Sequence, residues 1–295
     1  MNIMLIEDAL ALIEEGSMRG AAERRNVTQP AFSRRIATLE NWLGVKLVER
    51  LANKVEIKDE LLNRQDEFRS LLKKMDSLRG EYTSPIKSLK IGTQHTLASS
   101  VFPEIYSQIS TYRFIDKIRL RTRNQDEIIS QFLKYEIDLA ITYHAKNTPM
   151  PPFNDSVLQK IWRRDSLVPV VGGDLRFSLN EKQELPINTA ILCYPPESEF
   201  GKILEDTGAY LELANENPRL LETGFAAGMK ELIKLGTGIG WVPQSLARDD
   251  IQRGDLLVLS QSYGRIPLDV VLTSHEQNRI GKNVIKRLIN DSLKM

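Results

Sequence analysis

The stretch "AAERRNVTQPAFSRRIATLE", Ala21–Glu40, decides how the N-terminal part of this chain folds. At 100° per residue from Gln29, the residues Phe32, Ile36, Leu39 and Leu43 fall in one narrow sector, a stripe that faces a core. Gln29, Pro30, Ser33, Arg34, Ala37 and Thr38 spread over the opposite side. That side is small and polar with one arginine, so it suits close approach to another surface. Thr28 is placed to cap the helix, and Pro30 fits the first turn, where its missing N–H is no loss. Just before it, the alanine-rich GAAERRNV reads as a shorter helix that can pack closely through Ala21 and Ala22. Two helices joined by a short turn make a helix-turn-helix, whose second helix enters the major groove with its N-terminal residues on base edges. The spacing alone also fits a solvated helical hairpin that binds nothing.

Charge sharpens the choice. The 295 residues carry a net charge of only +1, so attraction to a polyanion must be local. Residues 19–58 hold nine basic and four acidic side chains, a surplus of five where phosphate contacts would lie. ERLANKVEIK, at 49–58, reads as a two-strand wing with Arg50, Asn53 and Lys54 near its tip. A single cysteine, Cys193, excludes an internal disulfide framework and fits a reducing compartment. The N-terminus has no basic n-region, and no window approaches the roughly 20 apolar residues of a membrane span. The expectation is a cytoplasmic protein without a membrane partner.

Between Asp59 and Leu78, Leu61, Phe68 and Met75 are seven residues apart, with Leu71, Leu72 and Leu78 between them. This heptad stripe fits either a helix lying on its own domain or a dimer-forming linker. From Lys87 onward, strand-like runs such as SLKIGT, KIRLRT, IDLAIT, SLVPVV, TAILCY, RLLET, GIGWVP and LDVVLT alternate with helical patterns. Helices are expected over Leu97–Ile109, Asp126–Tyr135 and Glu276–Leu293. About 200 residues of this kind suit two similar α/β lobes with a cleft between them. Ligands of such sheets bind beyond the carboxyl ends of strands, where helix N-termini point.

Three motifs, G-S-x-x-x-A-A-E at Gly16–Glu23, V-T-Q-P-A-x-S-R at Val27–Arg34 and L-E-x-x-L-G-V-x-L at Leu39–Leu47, resemble the winged helix-turn-helix of LysR-type transcriptional regulators. Departures from that pattern are Gly20, Val48 and VEIKDE after the wing. The resemblance extends over nearly the whole chain. It implies an α/β protein with an all-α N-terminal module. The parts would be a winged helix-turn-helix over 1–58, a linker or dimerisation helix over 59–84, and a two-lobed, periplasmic-binding-protein-like effector domain over 85–295. Lobe I would take about 85–160 and 266–295, and lobe II about 161–265. By matching position, Gln29, Pro30, Ser33 and Arg34 fall on the recognition helix, while Thr28, Arg35, Arg50 and Asn53 contact the backbone or belong to the wing, with Lys54. The implied partners are double-stranded DNA, a small-molecule effector and further copies of the chain, as a homodimer or homotetramer.

Effector candidates follow from strand ends. Thr93, Gln94, His95, Thr96 and Ser99 follow the first strand of the sheet, where free N–H groups favour an anion such as a carboxylate or amino acid. Thr142 and Tyr143 end a second strand, Cys193, Tyr194 and Ser198 follow a third, and Thr223 and Phe225 precede a helix. Positions matching these line the effector cleft in the family. Each alone is equally readable as a loop hydroxyl capping a helix and Cys193 as a buried thiol, whereas the set Gln94, His95 and Thr96 favours ligand contact. Three histidines, His95, His144 and His275, lack metal spacing, and GTGIG at Gly236–Gly240 lies after a helix and before a strand, the wrong order for cradling phosphate. No nucleophile–base–acid set has a convincing spacing, so neither an enzyme nor a cofactor is expected. The alternative is a solute-binding protein with a two-lobed cleft and no DNA role.

Overall fold

A computed structural model describes residues 2–51, 54–83, 87–145, 153, 156–209 and 219–292. They form two compact units, Met1–Pro85 with Ser130–Glu136, and Ile86–Ile129 with Ile137–Met295.

The first unit is built on helices α1 (Ile3–Glu15), α2 (Met18–Arg24) and α3 (Gln29–Leu43). Ser17 caps α2 by accepting the Gly20 amide at 3.1 Å. A Cβ at position 20 would stand 3.0 Å from that hydroxyl, so glycine keeps room for the cap. Gly44 ends α3 with φ +75°, a conformation open to glycine, and donates its amide to the Glu40 carbonyl at 2.8 Å. Phe32, Ile36 and Leu39 of α3 are buried with Ile6, Leu12, Ala21 and Leu47. Strands β1 (Val48–Leu51) and β2 (Lys54–Ile57) pair antiparallel as the expected wing. Thr28 stands at the N-cap of α3 but makes no side-chain capping bond. The expected linker is two helices, α4 (Asp59–Leu62) and α5 (Gln65–Thr83). Its heptad stripe also divides. Leu61 and Phe68 belong to the buried core of this unit and Leu72 packs against it, while Leu71 and Met75 stay exposed.

The second unit is one mixed sheet with helices on it. In chain order come β3 (Ser88–Thr93), α6 (His95–Ser100), α7 (Phe102–Ile109), β4 (Lys117–Thr122), α8 (Gln125–Leu133) and β5 (Leu139–Ala145). Next come β6 (Val157–Gly172), β7 (Ile191–Cys193), α9 (Glu199–Asp206), β8 (Arg219–Glu222), α10 (Ala226–Lys234) and β9 (Ile239–Pro243). The last elements are α11 (Gln244–Gln252), β10 (Leu256–Val258), α12 (Ser260–Tyr263), β11 (Ile266–His275) and α13 (Arg279–Ser292). The strand order β4-β3-β5-β11-β6-β9-β7-β8, with β10 on β6, places a parallel trio at each end. Two long antiparallel strands, β11 and β6, join the ends. SLVPVV is therefore the C-terminal part of a 16-residue strand and not a separate one. The single helix expected over Leu97–Ile109 is broken at Val101, ahead of Pro103 in the first turn of α7. GTGIG is a helix stop and strand entry, and a Cβ at Gly238 would meet the Ala190 carbonyl oxygen.

Candidate functional site: an exposed helix flank and a strand-end cleft

On α3 the core stripe is buried, and Thr28, Gln29, Pro30, Arg34 and Thr38 are exposed, with Ser33 and Ala37 half-buried beside them. Short side chains dominate that flank, so the helix backbone itself can approach a partner closely. The local positive charge is less available than its count suggests. Arg19 pairs with Glu23, Arg24 with Glu14 and Glu15, Arg25 with Glu7 and Asp8, Arg35 with Asp8, Lys46 with Glu40 and Lys58 with Glu49. Among the described residues of 19–58, Arg34 is the cation with no such partner. Asn53 and the side chains of Arg50 and Lys54 lie outside the described residues.

Two buried acids hold this surface in place. Asp8 on α1 is fully buried and receives Arg25 Nε at 2.7 Å and Arg35 Nη1 at 3.5 Å. Arg35 is thereby turned inward, toward α1. The next residue on a helix lies 100° round from Arg34, so the two arginines have different surroundings. Glu40, near the end of α3, accepts the amides of Leu47 at 2.9 Å and Val48 at 3.3 Å and pairs with Lys46 at 2.9 Å. Burial alone pushes its pKa up, but Lys46 and the two amides outweigh it and hold the carboxyl below its usual value. Glu40 thus fixes the entry to the wing relative to α3.

In the second unit the carboxyl ends of β3, β4 and β7 bring together Gln94, Gln125 and Glu199. Gln94 Oε1 accepts the Tyr143 amide at 2.7 Å, and its Nε2 donates to Gln125 Oε1 at 3.2 Å and to the Glu199 carboxylate. Burial pushes the Glu199 pKa up to about 8; the Gln94 bond and Lys202 oppose the rise, and Asp126 adds to it. The neighbours of the Gln125 amide favour the orientation that turns its nitrogen toward Glu199. With Glu199 ionised, its nitrogen faces the carboxylate oxygens at 2.5 and 2.8 Å and the Tyr143 carbonyl at 3.2 Å.

Only part of the expected effector set meets here. Thr93 is buried and its hydroxyl donates to the Ile141 carbonyl at 3.0 Å, fastening β3 to β5. His95 is exposed; Ser99 bonds back to the carbonyls of His95 and Thr96. Thr142 is half-buried, whereas the Tyr143 ring is buried against Phe200 at 5.6 Å and its hydroxyl donates to Asp165 Oδ2 at 2.9 Å. Cys193 and Tyr194 are core residues, Tyr194 edge-on to Phe200 at 5.2 Å. Ser198 caps α9 through the Gly201 amide, and Thr223 accepts the Phe225 amide at 3.2 Å, leaving the Phe225 ring largely exposed. Cys193, Tyr194, Ser198 and Thr223 thus serve as packing and capping groups, while the Phe225 ring is exposed. Gln125 and Glu199 were missed, although each stands where a strand end passes into a helix, the same signal that singled out Gln94.

Two family models match the chain: "Bacterial regulatory helix-turn-helix protein, lysR family" over residues 5–59 and "LysR substrate binding domain" over residues 83–288. The HTH-type transcriptional regulator YjiE of Escherichia coli is 28% identical over 274 residues, which is 88% of this chain and 84% of that protein. Full-length LysG of Corynebacterium glutamicum, solved with its effector Arg, shares the fold at TM-score 0.65 and 16% identity, over 100% of this chain and 99% of that one. Vibrio fischeri DarR, solved in complex with DNA, does so at TM-score 0.57 and 20% identity, over 98% and 99%. Among the described residues no helix is long and apolar enough to cross a membrane.

Proposed function

The chain belongs to the LysR family of bacterial regulatory proteins, and from that membership we propose how its residues divide the work of a ligand-controlled transcription factor. Residues 1–58 read duplex DNA. Gln29, Pro30, Ser33 and Arg34 face base edges, Thr28 contacts the backbone, and Arg50, Asn53 and Lys54 of the wing meet phosphates. Residues 59–84 pair two copies of the chain through the exposed Leu71 and Met75. Residues 85–295 bind the effector in two lobes, about 85–160 with 266–295, and about 161–265. The protein is not an enzyme and works in the cytoplasm.

The observation that carries this reading is the exposed, small-residue flank of α3 with the unpaired Arg34 at its centre. A solute-binding protein without a DNA role has no use for such a flank. The effector site is drawn around Gln94, Gln125, Thr142 and Glu199, with His95, Thr96 and Ser99 at its rim. LysG is solved with a bound amino acid and DarR with DNA, which supports both halves of the assignment by analogy of fold. An effector acts only by binding one arrangement of the lobes more tightly than the other. Footprinting with Arg34→Ala and Lys54→Ala tests the division of labour. The first should relax sequence preference at the base pair Arg34 reads, and the second should weaken all duplexes alike and reduce the salt dependence. The reverse pattern would refute the assignment.

A further inference from the structure

We propose that the second unit carries a separate site for a small dianion, a dicarboxylate or a phosphate-bearing metabolite, in a cavity beside the neck of its sheet. The neck is defined by strand pairing. β5 joins β11 from the Leu268–Ala145 rung onward, and β9 joins β6 from the Leu167–Pro243 rung onward. Between them lies the Ser166–Pro267 rung, where the sheet is two strands wide among the described residues. A cavity of about 730 Å³ opens there. Its walls are the β6 residues 164–166, the β11 residues 267–269, and one face of α11.

Three arginines converge on this space: Arg164 from β6, Arg248 from α11 and Arg265 from the turn before β11. Arg164 and Arg248 have no ion pair or hydrogen bond among the described residues, and Arg265 has only neutral partners, Ser166 Oγ at 2.7 Å and Gln244 Oε1 at 3.5 Å. The acids in the wall do not neutralise them by contact. Asp165 is held by the amides of Ser166 at 2.8 Å and Ser245 at 3.2 Å and by the Tyr143 hydroxyl at 2.9 Å, and forms no ion pair with these arginines within 4.0 Å. Asp269 stands opposite Arg164 in the ladder, yet no ion pair closes within 4.0 Å. By contrast, the adjacent Arg163 is paired with Glu104, and Arg253 with Asp250 and Asp255. Planar guanidinium forks suit carboxylate or phosphate oxygens, and Ile251 and Leu268 offer apolar wall for a short carbon skeleton. The volume falls in the range of small-molecule pockets.

Occupancy would be felt across the neck. Asp165, in the cavity wall, fastens Tyr143 of β5 on one side to Ser245 of α11 on the other. A dianion drawn to Arg164 and Arg248 bears on the rung where the two ends of the sheet are joined most narrowly.

The test uses the full chain with Trp42 replaced by Phe, so that Trp162 on β6 and Trp241 on β9 are the remaining tryptophans. Inorganic phosphate and succinate are titrated separately against chloride at constant ionic strength, with melting temperature and tryptophan emission as readouts. A saturable rise in melting temperature with an emission change is expected for at least one of the two, and which one responds tells phosphate from dicarboxylate. Arg164→Gln with Arg248→Gln should weaken that response at least tenfold, Arg248→Gln alone should weaken it partially, and Glu199→Gln should leave it intact. A response no larger than that of chloride, or one that survives the double substitution, overturns the proposal. Loss in Glu199→Gln with retention in the arginine variants would place the anion at the strand-end cleft and equally overturn it.

Discussion

Arg34 and Arg35 are sequence neighbours with different surroundings. One lies on the exposed flank of α3 without a partner, and the other reaches Asp8 at 3.5 Å. Arg34→Ala should therefore leave melting temperature nearly unchanged and cost DNA discrimination, about 1–3 kcal/mol at the base pair it reads. Asp8→Ala should do the opposite. It removes the buried partner of Arg35 and one of the two partners of Arg25, which keeps Glu7, and a chemical melt should show a loss of roughly 1.5–3 kcal/mol. Glu199 makes a pH prediction. Its carboxyl titrates near 8 in the folded chain against 4.5 for the free side chain. Between those values the folded chain holds a proton that the unfolded chain has released. Stability from this group is thus full at low pH and falls as pH rises from about 4.5 to 8, then levels off. Melting temperatures of wild type and Glu199→Gln should diverge over that window, with the variant gaining relative to wild type. Curves that stay parallel from pH 5 to 9 would contradict the buried, proton-holding role of Glu199.

At the scale of elements, α5 is read most sharply by splitting its own stripe. Phe68 faces the core of the first unit, while Leu71 and Met75 are exposed one turn apart. Phe68→Ala should destabilise the unit by about 3–5 kcal/mol, a cavity cost. Leu71→Glu with Met75→Glu should leave the monomer folded and shift light scattering from an oligomer toward a single chain; an unchanged mass would remove these residues from the interface. The core face of α3, the wing and the helix-strand alternation were legible in the sequence, because periodicity and charge are local properties. The pairing of Arg35 with Asp8 was not, since Asp8 lies 27 residues earlier and only folding brings it near. Nor was the separation of Tyr143 from Thr142, whose side chains point to opposite faces of one strand. The joining of Gln94, Gln125 and Glu199 depends on tertiary geometry across 105 residues, which no spacing rule contains.

At the scale of the whole chain, the account requires two things. The flank of α3 must select a sequence, and the strand-end cleft must alter that selection when it is filled. Two copies presenting α3 to one duplex would double the contact surface and impose half-sites one or more helical turns apart. The most direct measurement is selection of bound duplexes from a random pool by the full-length protein at low salt, run in parallel with Arg34→Ala. The account predicts that wild type enriches a pseudo-palindromic site and that the variant still binds DNA but enriches a site degenerate at the position Arg34 reads. Failure of the wild-type protein to retain or enrich duplex DNA, or enrichment of the same site by Arg34→Ala, would contradict it.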